Sequence, residues 1–416
     1  MNRAIISLFT HPSLLTQVGV FTYLLTIPFG QSLGIGIREI LLLSVAIGMI
    51  LSRMVRRGDV SPPSFRLFYP ELIFGSTILI SILFSQYRDL SLSLSTYVPI
   101  GFLFFFAVQD IAITQSAFRR IFITLSLVVF LLGLDGIYQY WIGKSLLTGS
   151  SLFADRVKGS LPHPNDLALI PILLPFSITL LLQERSRIVK GIILISIIPA
   201  LVTVILSQSR NAWFGLAIGL GVFLFRKQAR KTLIVLVCIV LILFSAALYF
   251  DLGNVQQRLN TFMNITSETR IGIWLVAVEM FKESPLLGKG LHTFGEFYLP
   301  YIEKIQLPQG YIPEIAVIPW AHNLYLEILA ESGLVGFVGF MAPILAIGSI
   351  LRKFVRKQSG NQEKMFAYVL TASLLTFLCM GLFDLTFLKD WVLLIFLLLT
   401  AMIARLPMLT SSASET

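Results

Sequence analysis

Charge is what this sequence has least of. Only 13% of its residues are Asp, Glu, Lys or Arg, against 56% hydrophobic residues, and the mean hydropathy is +0.84. A soluble domain cannot expose such a composition without precipitating, which excludes that class. Cysteine is nearly absent: Cys238 and Cys379 fall inside apolar runs and supply no disulfide framework. Histidine occurs only 4 times. There is no HExxH, no Cys/His cluster of zinc spacing, no GxxxxGK[ST] loop and no Asp-x-Asp pair to hold a divalent ion on a phosphate. No metal or other cofactor is therefore expected. Ser-x-x-Lys does not occur, which weighs against a serine hydrolase of that type.

What the chain has instead is long apolar runs. About twelve are counted, most of the roughly 17–25 residues that cross about 30 Å of hydrocarbon as helix, near 13–29, 34–51, 67–85, 94–113, 121–141, 166–183, 188–206, 211–225, 232–250, 324–350, 365–383 and 388–404. The expected fold is an all-α integral membrane protein. The net charge of +10 would fit a nucleic-acid partner, but the distribution of Lys and Arg gives a different cause. The basic residues crowd into alternate short connections, such as Arg119-Arg120, Arg226-Lys227 with Arg230-Lys231, and Arg352-Lys353 with Arg356-Lys357. By the positive-inside rule those connections are cytoplasmic, both termini with them, and the first run is a signal anchor. The chain then divides into spans 1–9 (1–250), a large outer loop (251–321), spans 10–12 (322–404) and a cytoplasmic tail (405–416). A second outer connection, 142–165, is also long enough to hold structure. Within the large loop, Ile271, Trp274, Leu275, Val278 and Phe281 follow the i, i+3, i+4, i+7 spacing of an amphipathic helix, with Thr266 or Ser267 as its cap. Such a helix is expected along the membrane surface.

Three outer-side residues invite a chemical reading. Arg210 stands in the short turn LSQSRNAWFGL among Ser207, Gln208, Ser209 and Asn211, a group resembling a cradle for an oxyanion. A snorkelling arginine bound to a lipid phosphate is the plainer alternative. Arg270 opens the amphipathic helix, where a cation opposes the helix dipole unless an anion bridges them; an ion pair with Glu268 would also relieve the conflict. His322 precedes Asn323, a natural helix cap, and a ring beside the positive end of a helix is suited to accept a proton. The plainer alternative is a ring bonded to a backbone carbonyl. Together, two arginines and one histidine make a set that binds an anionic leaving group and activates a hydroxyl. Glu39, Glu71, Asp110, Asp135, Gln139 and Asp384 lie in or near spans, where polar groups sometimes line a permeation path.

Four ordered segments carry a resemblance: GSLPHPNDLALIPILLP (159–175), SQSRNAWFGLAIGL (207–220), ETRIGIWLVAVEMFKESPLLGKG (268–290) and AHNLYLEILAESGLVG (321–336). In them the chain resembles the O-antigen ligase family, which is grouped with O-antigen polymerases and protein O-oligosaccharyltransferases. The resemblance implies a GT-C-like membrane glycosyltransferase of the bacterial inner membrane, inverting, metal-independent and active on the periplasmic face. Its donor would be a glycan on undecaprenyl diphosphate and its acceptor lipid A-core or another glycan, with membrane lipids around it and no nucleic acid. By the same resemblance Arg210 and Arg270 hold the donor diphosphate and His322 activates the acceptor hydroxyl, while Asn165, Asn323 and Trp274 match motif positions of unassigned role. A polymerase would use the same donor with a second carrier-linked glycan; a single large outer loop favours the ligase. Bicarbonate or other solute transport, attached to some relatives, is the reading from a different class.

Overall fold

Backbone amides in hydrocarbon find no water to bond, so a chain this apolar satisfies them within helices. The computed structural model describes residues 14–29, 40–41, 43–45, 47–50, 65–112, 114–262, 270–307, 316–356 and 361–409. Over these residues the protein is an all-α integral membrane protein, with isolated bridges at Lys144/Ser151 and Phe153/Arg156 as its β-type pairings. In chain order the helices are α1 (Leu14–Thr26), α2 (Phe65–Leu83), α3 (Arg88–Leu94), α4 (Tyr97–Ile111), α5 (Gln115–Ile142), α6 (Leu169–Gln183), α7 (Arg187–Leu206), α8 (Arg210–Val222), α9 (Arg230–Tyr249), α10 (Val255–Phe262), α11 (Arg270–Glu283), α12 (Phe294–Ile302), α13 (Leu324–Arg356), α14 (Asn361–Met380) and α15 (Asp390–Arg405). A 3-10 turn, Pro164–Ala168, leads into α6.

Among the described residues 8 helical stretches are long and apolar enough to cross a membrane, and the shorter apolar helices Thr16–Phe29, Leu67–Leu83 and Arg210–Phe225 accompany them. The run expected at 34–51 falls largely outside the described residues, as do the end of the tail and the expected cap at Thr266 or Ser267. The apolar windows of Pro164–Gln183 and Asp390–Met408 are each 89% buried, so α6 and α15 form the centre of the bundle. The window of Lys227–Tyr249 is 17% buried, which puts α9 at the rim. Ile188, Ile192 and Ile195 of α7 and Ile234, Leu241 and Ile242 of α9 are exposed, as befits side chains whose solvent is lipid. Apolar burial does not drive helix association there, and close packing does. Phe74, Phe340, Phe387 and Phe396 illustrate it, their ring centroids 5.6 to 6.0 Å apart where α2, α13 and α15 meet.

α13 is broken at Gly333, which adopts φ 61° and ψ −162° inside the helix. A break frees backbone groups that hydrocarbon cannot satisfy. The segment 285–290 of the large loop threads into it. Lys289 N–H donates to the Ala330 carbonyl (3.0 Å) and Gly290 N–H to that of Glu331 (2.8 Å), while the amides of Leu334 and Val335 donate back to the carbonyls of Pro285 (2.8 Å) and Leu286 (3.1 Å). The approach is so close that a Cβ on Gly288 would lie 2.2 Å from the Glu331 carbonyl carbon, and one on Gly333 2.4 Å from that of Leu286. The Glu331 carboxylate then accepts from the backbone N–H groups of His292 (2.8 Å) and Phe294 (3.0 Å). The loop is thereby stitched to a membrane helix by its backbone.

α11 occupies the expected stretch but buries a different face. Ile273, Val276, Ala277 and Met280 pack with Phe294, Phe297, Tyr298 and Ile302 of α12 and Ala330 of α13 in a second core. The expected stripe of Ile271, Trp274, Leu275, Val278 and Phe281 stays half-buried. The helix is apolar all round, so spacing alone could not say which side meets protein.

Candidate active site

The site forms where connections between helices converge at one end of the bundle: 142–165, the turn 207–209, α10, the start of α11, the residues before α13 and the turn 381–389. The basic connections at 184–187, 226–230 and 351–356 lie at the opposite ends of the same helices.

Asn323 caps α13 as expected, its Oδ1 accepting from the amides of Tyr325 (3.0 Å) and Leu326 (3.1 Å). The start of α13 is docked on the turn after α14, since Leu324 N–H donates to the Gly381 carbonyl (2.8 Å) and the Thr386 hydroxyl donates to Glu327. His322, just before the cap, has φ 49°, a left-handed conformation uncommon for a side-chain-bearing residue. That twist sets its ring against Asp384, with Nδ1 and the carboxylate Oδ1 2.5 Å apart. The indole N–H of Trp320 also lies 3.1 Å from Nδ1. One nitrogen cannot accept from the indole and donate to the carboxylate at once. Asp384 decides the matter: burial alone would raise its pKa, but the bond to His322 and the charge of Lys389 outweigh burial and hold the carboxyl below the usual range. An ionised carboxylate is an acceptor, so Nδ1 carries a proton, and the tautomer this selects for the neutral ring has its lone pair on Nε2. A ring bonded to a backbone carbonyl, the plainer expectation, is not what the structure shows.

Lys389 joins the dyad to the 3-10 turn. Its ammonium meets the buried Asp166 carboxylate at 2.6 Å and lies 4.5 Å from the centre of the Trp320 ring. Burial would depress this lysine, but Asp166 and Asp384 more than compensate and its pKa is raised. Asp166 and His163 form a reciprocal cap: His163 N–H donates to the carboxylate (3.1 Å) and Asn165 N–H donates to His163 Nδ1 (3.1 Å). Burial first, then the charges of Lys389, Arg156 and His322, lower the pKa of His163 to about 4 against the pull of Asp384.

Around the turn between α7 and α8, Ser209 caps α8 by accepting from Ala212 N–H (3.3 Å), the Ser207 hydroxyl donates to the Val204 carbonyl (2.7 Å), and the Asn211 amide donates to the Met380 carbonyl (3.3 Å). These three side chains thus brace the turn. Gln208 has φ 53°. The carbonyls at the end of α7 hold two arginines absent from the sequence-based set: Arg156 Nε donates to Ser207 O (3.0 Å) and Arg258 Nε to Gln208 O (3.3 Å). Arg156 Nη2 also donates to Asn165 Oδ1 (3.0 Å).

Arg210 starts α8 and Arg270 starts α11. Burial, then the like charges of Arg258, Arg270 and Arg210, lower the pKa of Arg156 to about 10, with Asp384 acting against them. Arg270 also bears on Asp384. Arg210, Arg270 and His322 therefore belong to one electrostatic cluster with Arg156, Arg258, Asp384 and Lys389. Trp274 lies on α11 with its indole nitrogen buried and without a hydrogen-bond partner among the described residues. Glu268, the alternative partner of Arg270, lies outside the described residues. Among the described residues, no three His, Cys, Asp or Glu side chains converge as metal ligands would.

Of the polar residues considered for a permeation path, three have other duties. Asp135 accepts from the Ser145 hydroxyl (2.8 Å) and Leu147 N–H (3.1 Å), and Gln139 bonds Lys158 N–H, Gly159 N–H and the carbonyls of Ser150 and Gly159. One turn apart on α5, they fold the 142–165 connection that delivers Arg156. Asp384 is the third.

Residues 194–341 match a family model described as O-antigen ligase. That segment contains Arg210, Arg270 and His322, while Arg156, Asp384 and Lys389 lie beyond it. The chain is also 27% identical over 166 residues to an uncharacterized protein of Haemophilus influenzae, an alignment covering 36% of this chain and 41% of that protein.

Proposed function

We propose, from the match of residues 194–341 to a family model described as O-antigen ligase, that the protein is a glycosyltransferase that moves a glycan from undecaprenyl diphosphate to a hydroxyl of lipid A-core, at the periplasmic face of a bacterial inner membrane. The observation that carries this reading is the His322–Asp384 dyad beside a cluster of guanidinium groups. The acceptor hydroxyl gives its proton to His322 Nε2 as its oxygen bonds the anomeric carbon. The bond from that carbon to the phosphate oxygen breaks in the same displacement, inverting the configuration, and its electron pair leaves with the diphosphate. Arg210 and Arg270 stabilise the negative charge that grows there. A diphosphate so held needs no general acid, so one base suffices, unlike the carboxylate pair of a glycosidase. Asp384 fixes the ring and stabilises the imidazolium that forms.

An apolar groove of about 480 Å³ between α8 and α9, lined by Trp213, Leu220, Leu224, Leu233 and Val237 among others, supports a lipid-borne donor. Trp213 lies one helical turn from Arg210, so a phosphate at the arginine places its hydrocarbon at the mouth of the groove.

Purified protein supplied with undecaprenyl-diphosphate glycan and lipid A-core is expected to yield the joined product and free undecaprenyl diphosphate by mass spectrometry. A product lengthened on the carrier would make it a polymerase, and absence of any transfer overturns the proposal. Arg210→Ala, Arg270→Ala and His322→Ala are each expected to abolish transfer while the protein remains inserted and folded; any of them with wild-type turnover removes that residue from the mechanism.

A further inference from the structure

Arg156 has the setting of a ligand-binding arginine, although neither the mechanism above nor the matched segment includes it. A guanidinium group has two usable edges. In Arg156 the edge formed by Nε and Nη2 is committed to protein, donating to Ser207 O at 3.0 Å and to Asn165 Oδ1 at 3.0 Å. Asn165 is itself held through its own N–H on His163. The group is therefore fixed in place with its Nη1 edge left over among the described residues, a geometry that offers two parallel N–H donors to an oxyanion. It is also held against electrostatic resistance. Arg210, Arg258 and Arg270 all repel it, and the carboxylate that attracts it, Asp384, is already bonded to His322. Like charges that act on one another at an end of the bundle are relieved by an anion of more than one charge.

We propose that Arg156 is a third ligand of the carrier phosphates, and that its contact makes the site select a polyprenyl diphosphate over a polyprenyl monophosphate. The inference rests on the reading that Arg210 and Arg270 receive the donor's diphosphate, and it adds the group that counts the phosphates. One phosphate reaches Arg210 and Arg270; the second extends to the Nη1 edge of Arg156, which a monophosphate leaves vacant. A single charge-assisted hydrogen bond corresponds to roughly tenfold or more in affinity.

The test uses the full chain in nanodiscs, with geranylgeranyl diphosphate and geranylgeranyl monophosphate as probes and phosphatidylglycerol as a competing membrane phosphate. Wild type is expected to bind the diphosphate at least about tenfold more tightly than the monophosphate and to be displaced poorly by phosphatidylglycerol. Arg156→Gln is expected to erase that preference by weakening the diphosphate alone, whereas Arg210→Ala weakens both probes. Arg156→Lys, which keeps the charge but loses the fork, is expected to fall between. Melting curves identify any variant that fails to fold, and the ratio of the two affinities is a readout that general loosening of the site would not move. An unchanged ratio in both Arg156→Gln and Arg156→Lys overturns the inference and leaves the underlying reading standing. A wild type that binds neither probe, or yields equally to phosphatidylglycerol, overturns that reading itself.

Discussion

A histidine that donates one ring nitrogen to a buried carboxylate has lost the freedom to choose a tautomer, and at His322 this places the basic lone pair on Nε2. Asp384→Asn keeps the shape but can turn an amide N–H toward Nδ1, favouring the wrong tautomer. Its kcat is expected to fall by on the order of a hundredfold or more with the KM for donor nearly unchanged, as measured by release of undecaprenyl diphosphate. His322 stood out in the sequence because the capping asparagine beside it announced a helix start. Asp384 did not: an acid near the end of an apolar run reads the same whether it faces a pore, a lysine or a histidine. The signal was positional, since the turn after α14 and the start of α13 fall on the same side of the membrane once alternate connections are assigned. Arg156 and Arg258 were hidden for a similar reason. Their binding partners are the carbonyls of Ser207 and Gln208, and a carbonyl has no letter in a sequence.

At the scale of elements, the interrupted α13 is the feature with the sharpest energetic consequence. Gly333 and Gly288 both have positive φ, and each would drive a Cβ into backbone of the other segment. Gly333→Ala or Gly288→Ala adds roughly 1–2 kcal/mol of left-handed strain before any clash is counted, and the clash is with backbone that cannot rotate away. Either substitution is expected to lower the melting temperature in detergent markedly and to reduce transfer, because His292 and the start of α12 hang from Glu331 two residues before the break. In the sequence SPLLGKG and ESGLVG stood only as parts of two of the segments that carry the resemblance. That one threads into the other follows only from where the freed amides go. Among the described residues most of the expected runs coincide with helices to within a few residues, eight of them long and apolar enough to span, since hydrocarbon admits few solutions. The orientation of α11 was not, because both of its sides are apolar.

Over the whole molecule, protonation links the loops to stability. His163 and His292 lie outside the spans, and burial first of all lowers their pKa values from 6.5 to about 4 and about 3. An unfolded chain takes up these protons as pH drops below about 6.5, whereas the folded chain refuses them until far lower. The stability contributed by the neutral rings is therefore fully present above about pH 6.5 and is lost progressively down to pH 4 and below. Melting temperature followed by tryptophan fluorescence should decline across that interval, and His292→Gln should flatten the decline at its acidic end; a flat wild-type profile would contradict this account.

The threading of 285–290 into α13 also dictates an order of events at the ribosome. The loop emerges some forty residues before the gap that receives it is synthesised, so until then its amides are left to water. Its final shape becomes available only after the later helix has entered the bilayer, and a fragment cut short ahead of residue 324 would carry the arginines without the scaffold that aims them.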